Sequence, residues 1–193
     1  MILITEPGKV WLYDTPMDDS LTAELVRWIN NELSCEIEVL VPNHFHADCI
    51  GGLEVIREYN PNVYVFANKL TYELLPDKYK DPAILFILFE DIGPFELAEH
   101  YYFGAGHSED NIVVWFPKEK VLFGGCMVKA AAATSLGNIA DANLKKWPRT
   151  VKKVRRRFKH VEKVVPGHGE IGSRELFANT LKLLSEDKKY NEK

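Results

Sequence analysis

Apolar and polar positions alternate over residues 36–41, where Ile37, Val39 and Val41 share one parity. That period is the mark of a strand with one face on a core, and Pro42 closes it, since proline cannot continue a ladder. After Gly51-Gly52 the apolar residues Leu53, Ile56 and Tyr59 step by three, which predicts a short helix. Residues 1–13 read as a hairpin, Met1–Ile4 and Val10–Tyr13 around the Pro7-Gly8 turn, with Asp14-Thr15-Pro16 ending its second strand. Leu21, Leu25, Trp28 and Ile29 line one face of an amphipathic helix. Further strands are predicted at Val63–Phe66 and Val161–Val165, with two or three more in 84–103. A second hairpin pairs Asn111–Phe116 with Val121–Gly124. Short helical spacing covers Lys69–Leu75, and a final helix covers 173–186. Between them lies a helix from Asp141, its expected cap, to Lys159, with Leu144, Trp147, Val151, Val154 and Phe158 facing inward. Residues 127–140 and 166–172 read as loops. Strands alternate with helices, run together, then alternate again, so the expected fold class is α/β (α+β), mixed sheets covered by helices on the outside.

The 193 residues fit a single domain, 1–193, with no repeat, low-complexity segment or linker. At 46% hydrophobic and 27% charged, the chain carries enough apolar material for a core without disulfides. The net charge of −4 argues against a general nucleic-acid binder. The basic run in 141–159, including Arg155-Arg156-Arg157, reads as the solvated face of its helix. No apolar run is long enough for a membrane span, and the first residues lack the basic flank of a signal peptide. Three cysteines, Cys35, Cys49 and Cys126, imply no complete disulfide framework. Cys35 reads as a small buried hydrophobe.

Against that pattern, residues 43–52 stand out. His44, His46, Asp48 and Cys49 put four metal-capable side chains in six positions, on a loop from strand to helix. In an extended loop His44 and His46 point the same way and Asp48 continues the parity. Gly106-His107, Gly125-Cys126 and Gly167-His168 each set a further candidate just after a strand. Sorted by ligand type, His44, His46 and His107 make a three-nitrogen site, and Asp48, Cys126 and His168 an oxygen–sulfur–nitrogen site. Three protein ligands with a position left open is how catalytic zinc is held, and the mixed set suits zinc better than magnesium or calcium.

His44-Phe45-His46-Ala47-Asp48, Gly106-His107, Gly124-Gly125-Cys126 and Gly167-His168-Gly169 resemble the metallo-β-lactamases with a His-His-His first site and an Asp-Cys-His second site. The likeness extends through Asp110–Trp115 and Leu136-Gly137-Asn138. It implies a four-layer αββα sandwich, here shortened at its amino end, with two Zn2+ per chain. The implied activity is hydrolysis of the β-lactam amide by a metal-bound hydroxide, and with it antibiotic resistance. Asp48 would be both ligand and catalytic residue, orienting the nucleophile. Lys129 would pair with the substrate carboxylate and Asn138 would face the lactam carbonyl; a solvated loop lysine and a turn former are the alternatives for these two. Glyoxalase II-like thioesterases of the same fold usually carry His where this chain has Cys49 and Asp where it has Cys126. A thioesterase, lactonase or phosphoesterase of the fold, or no enzyme at all but a truncated zinc-stabilised domain or a lactam-binding protein, are the competing readings. The family implies a periplasmic or secreted location. The missing outer strands would expose a sheet edge and favour a homodimer. Cys49 stays ambiguous between a thiol beside the metal and a tolerated small residue, and His100 and His160 are expected as surface or strand histidines.

Overall fold

The computed structural model describes residues 1–94 and 96–187. The chain divides into two compact units, Met1–Glu90 and Asp91 onward. In the first, β1 (Ile2–Glu6), β2 (Lys9–Tyr13), β3 (Glu36–Val41), β4 (Tyr64–Asn68) and β5 (Leu85–Phe89) form one sheet in that order. β1 and β2 are the expected hairpin, turning at Gly8, whose φ of 85° is open to glycine without strain. The remaining pairs are parallel, so each connection must cross over, and helices do so. α1 (Asp19–Glu32) joins β2 to β3. The Asp18 carboxylate accepts from the Ser20 and Leu21 N–H groups and starts it. α2 (Ala47–Ile50) and α3 (Leu53–Tyr59) lie between β3 and β4, and α4 (Lys69–Leu74) follows β4, capped by Asn68.

The core of this unit collects Val10, Leu12, Ile29, Leu40, Ile50, Leu53, Ile56 and Val65, all buried. Each such side chain contributes ~1.5–3 kcal/mol relative to exposure. Ile37, Val39 and Val41 are buried as their parity predicts, and Leu40 is buried as well. That is the near-continuous burial of a parallel strand.

In the second unit the order is β10 (Lys163–Pro166), β9 (Val121–Gly125), β8 (Val113–Phe116), β7 (Glu99–Tyr101) and β6 (Ile92–Pro94). Only the β9–β10 pair is parallel among these. α5 (Trp147–Arg157) buries Trp147, Thr150, Val151 and Val154, and α6 (Glu175–Glu186) buries Leu176, Phe177, Thr180, Leu183 and Leu184. The 84–103 stretch gives three strands.

One expectation needs correction. The helix expected from Asp141 starts at Trp147, with proline in its first turn, where a fixed φ and a missing N–H are harmless. The Asn143 carboxamide and carbonyl take the Lys146 and Trp147 N–H groups, so 141–146 closes as turns. Of the two histidines expected at the surface or in a strand, His100 is the strand residue, fully buried in β7, and His160 the surface one, exposed. Among the described residues no helix is long and apolar enough to cross a membrane.

Candidate metal centre

β2 and β3 run parallel and end level, Tyr13 beside Val41. The histidine loop leaves the carboxyl end of β3, and the segment leaving β2 brackets it. Asp14 takes a left-handed backbone, φ 61°, which asparagine and aspartate tolerate better than most residues. Its N–H donates to the Val41 carbonyl (3.1 Å), and its carboxylate accepts the Asn43 N–H at 2.6 Å. Thr15 donates its N–H to the Cys49 carbonyl (3.2 Å), and its hydroxyl accepts the Gly52 N–H (3.0 Å). A Cβ at Gly51 would lie 2.4 Å from the Ala47 carbonyl oxygen, and one at Gly52 would lie 2.4 Å from the Thr22 hydroxyl. The glycine pair therefore lets α2 pack where a side chain would push it away.

Within this frame His44 is fully buried. Its Nε2 lies 2.9 Å from His46 Nδ1 and 3.8 Å from an Asp48 carboxylate oxygen. The two rings meet edge-on, with centroids 4.5 Å apart, and Phe45 packs on His46. Asp48 reaches this point by a different geometry from the one expected. It sits in the first turn of the short helix α2, which follows His46, not on an extended loop. Behind the ring, His44 Nδ1 lies 3.0 Å from the buried Cys49 sulfur. Cys49 in turn bonds Asp14, whose carboxyl burial pushes up to about 7 against the lowering effect of those bonds.

In the second unit His107 lies on the loop from β7 to β8, 5% exposed, with its ring edge-on to Trp147 at 5.7 Å. Gly104, at φ 120°, turns that loop. Asn111 holds it by accepting the Ser108 N–H and donating to the Gly104 carbonyl. Cys126 follows β9 and His168 follows β10, the parallel pair. The two loops are joined by the Gly167 N–H donating to the Gly125 carbonyl at 2.8 Å. They approach so closely that a Cβ at Gly167 would lie 2.5 Å from the Cys126 sulfur. Cys126 is buried, and His168 is exposed.

Lys129 continues from Cys126, its ammonium 5.5 Å over the Trp147 ring. Trp147 is fully buried and donates its indole N–H to the Met127 carbonyl at 2.9 Å. Asn138 lies exposed beside Gly137, its Oδ1 accepting the Ala140 N–H. It is a turn former by that bond, and its carboxamide NH2 remains for other use.

Two sets of side chains offer ligand atoms within 4.8 Å of one another: His44, His46 and His107, and Asp48, Cys126 and His168. His44, Asp48 and Cys49 form a third, overlapping set, but there the thiol sits on the rear nitrogen of His44 and orients the ring. The model of the metallo-beta-lactamase superfamily matches residues 1–168.

The chain belongs to the metallo-beta-lactamase superfamily.

Metallo-beta-lactamase type 2 of Bacteroides fragilis is 40% identical over 188 residues, 96% of this chain and 74% of that protein. The type 2 enzyme of Bacillus cereus is 37% identical over 95% of this chain and 72% of its own length. Among solved structures, the metallo-beta-lactamase from Pontibacter korlensis superposes with a TM-score of 0.87 at 35% identity, covering 96% of this chain and 86% of that one. DIM-1 metallo-beta-lactamase gives 0.83 at 32% identity, over 95% and 85%. The expected fold class holds: mixed sheets with helices, as in solved metallo-beta-lactamases.

The metallo-beta-lactamase residues present fit a metal. Imidazole nitrogens, a carboxylate and a thiol are the donor types zinc takes. The rear nitrogen of His44 already has a partner, which fixes which nitrogen faces forward. Bracketing by Asp14 and Thr15, and the seat of Trp147 between His107 and Lys129, were not legible in the sequence. Asp14 looked like a strand end and Trp147 like one apolar helix position among several.

Proposed function

We propose that this protein is a zinc-dependent hydrolase of the β-lactam amide bond, with one Zn2+ held by His44, His46 and His107 and a second by Asp48, Cys126 and His168. The clustering of those two ligand sets in a chain of this superfamily carries the reading. Zinc held there would supply a water of lowered pKa and a Lewis acid for the amide carbonyl. The protein supplies position. Asp48 is the carboxylate beside the His44–His46 pair and would orient the nucleophile. Lys129 offers a point charge to the substrate carboxylate, its ammonium above an aromatic ring. Asn138 offers its NH2 to the lactam carbonyl, since its oxygen is engaged within the loop. Cys126 separates this reading from a thioesterase or lactonase of the same fold, which would use an aspartate there.

The test is cephalosporin hydrolysis by purified protein, with metal content measured alongside. Turnover abolished by a chelator and restored by two equivalents of zinc is the expected result; turnover indifferent to the chelator overturns the reading. Two lesser proposals accompany it. A periplasmic or secreted location is read by cell fractionation. Pairing of two chains through the β1 edge is read by light scattering, where a monomer at high concentration removes it.

A further inference from the structure

The basic run that reads as a solvated helix face does not form an even face. Ten of the chain's 24 lysines and arginines fall within residues 145–163, against one acid, Glu162. Glu162 pairs with Lys120 at 2.7 Å. Four of the cations, Lys153, Arg156, Arg157 and Lys159, surround a recess of about 630 Å3 together with Phe103 and His160. That volume falls in the range of small-molecule sites, ~300–1,000 Å3.

None of the four pairs with a carboxylate among the described residues. Lys153 donates to the Phe103 carbonyl (3.0 Å). Arg157 lies over the Tyr101 and Phe158 rings, 5.6 and 5.5 Å from their centroids, and donates to the Tyr101 hydroxyl at 3.2 Å. That hydroxyl donates to Glu99 at 2.6 Å, so the carboxylate is engaged by the phenol. The Arg157 guanidinium is thus held in place by ring contacts and a neutral oxygen, with no carboxylate in direct contact among the described residues.

Cations in the last turn of a helix answer its dipole, but that dipole amounts to only about half an elementary charge at the carboxyl end. Arg155, Arg156 and Arg157 already exceed it. Like charges crowded around a recess repel one another and concentrate a positive potential inside it. Guanidinium groups match the oxygen geometry of phosphate, and one fixed beforehand loses little freedom on capture. The partly buried Phe103 ring adds an apolar wall for the organic part of a ligand.

We propose that this recess binds a phosphate-bearing anion, either a free small phosphate ester or the headgroup of an anionic phospholipid. None of its lining residues belongs to the candidate metal centre.

The test uses the zinc-loaded protein at low ionic strength and two probes: glycerol 3-phosphate, followed by calorimetry, and phosphatidylglycerol–phosphatidylcholine vesicles, followed by co-sedimentation. R156Q/K159Q removes two charges from the recess. K152Q/R155Q removes two from exposed positions of the same helix outside it. The expected result is binding of at least one probe by the parent, weakened roughly tenfold or more in R156Q/K159Q and about twofold or less in K152Q/R155Q. Cephalosporin hydrolysis stays unchanged in both variants. A response to glycerol 3-phosphate assigns a free ester, and one confined to vesicles assigns the lipid headgroup. No binding of either probe by the parent overturns the proposal. So does equal weakening in the two variants, which would mark a diffuse basic surface, and so does binding indifferent to both.

Discussion

The Nδ1 nitrogen of His44 lies 3.0 Å from the sulfur of Cys49, and both side chains are buried without exposed surface. The contact commits the opposite nitrogen, Nε2, to the side where His46 and Asp48 gather. It puts the Cys49 thiol directly behind the proposed ligand His44.

Removing that contact weakens metal binding. In C49A, zinc affinity measured by chelator competition falls roughly 10–100-fold, the usual loss for a partner of a ligating histidine. C49S, which keeps a donor and acceptor at nearly the same place, retains most of it. Equal affinity in C49A and the parent would show the sulfur to be a bystander.

Gly167 sets the approach of two loops. A Cβ there would lie 2.5 Å from the Cys126 sulfur and 2.7 Å from its backbone nitrogen. G167A is therefore expected to lose about 1–3 kcal/mol of stability through overpacking. In a chain of this size each kcal/mol lowers the thermal midpoint by about 2–4 °C. Bound zinc, counted by elemental analysis, falls towards one equivalent as Cys126 is displaced. A variant that melts like the parent and holds two equivalents contradicts the close approach.

Asp14 gives the metal-free protein a pH dependence. Burial raises its carboxyl from 3.8 to about 7. The folded state then holds a proton that the unfolded chain has released, so this group favours folding fully at acid pH. The contribution fades as pH climbs from about 4 to about 7. The thermal midpoint of the metal-free parent falls over that window. D14N keeps an oxygen to accept the Asn43 N–H and flattens the fall. An identical slope in parent and D14N would assign the dependence elsewhere.

Trp147 links three parts of the second unit through one indole: the ring edge of His107, the ammonium of Lys129 and the Met127 carbonyl. W147F deletes the N–H and strands a buried carbonyl, which costs about 1–3 kcal/mol in denaturant unfolding. KM for a cephalosporin rises as well, because Lys129 loses part of its seat. Unchanged stability would mean that water replaces the indole donor.

Much of this architecture was legible because its signals are local. The parity of Ile37, Val39 and Val41 marks a strand whatever surrounds it. A glycine beside a histidine or cysteine at a strand end marks a loop that aims a side chain. The start of α5 was misplaced because Asp141 and Leu144 satisfy a helical pattern, while Pro148 and the Asn143 turn decide where it begins. Asp48 lies in the short helix α2 where side-chain parity predicts an extended loop, because parity over six residues does not reveal a single helical turn. Asp14 was missed because its role arises from the parallel pairing of β2 with β3, which joins residues 29 apart in sequence. The recess around Arg156 and Lys159 was hidden for the same reason: charge density is written in the chain, but concavity is not.

The bracketing of the histidine loop by Asp14 and Thr15 has one more consequence. The hydrogen bonds from Asp14 and Thr15 to residues 43–52 use none of the candidate ligand atoms, so we expect them to form with the sheet itself. Under the proposed function, zinc would meet a loop that these bonds already hold. Loss and reloading of the ion should leave the amide exchange rates of Thr15, Asn43 and Gly52 almost untouched, and the protein could pass through metal-poor surroundings without unravelling.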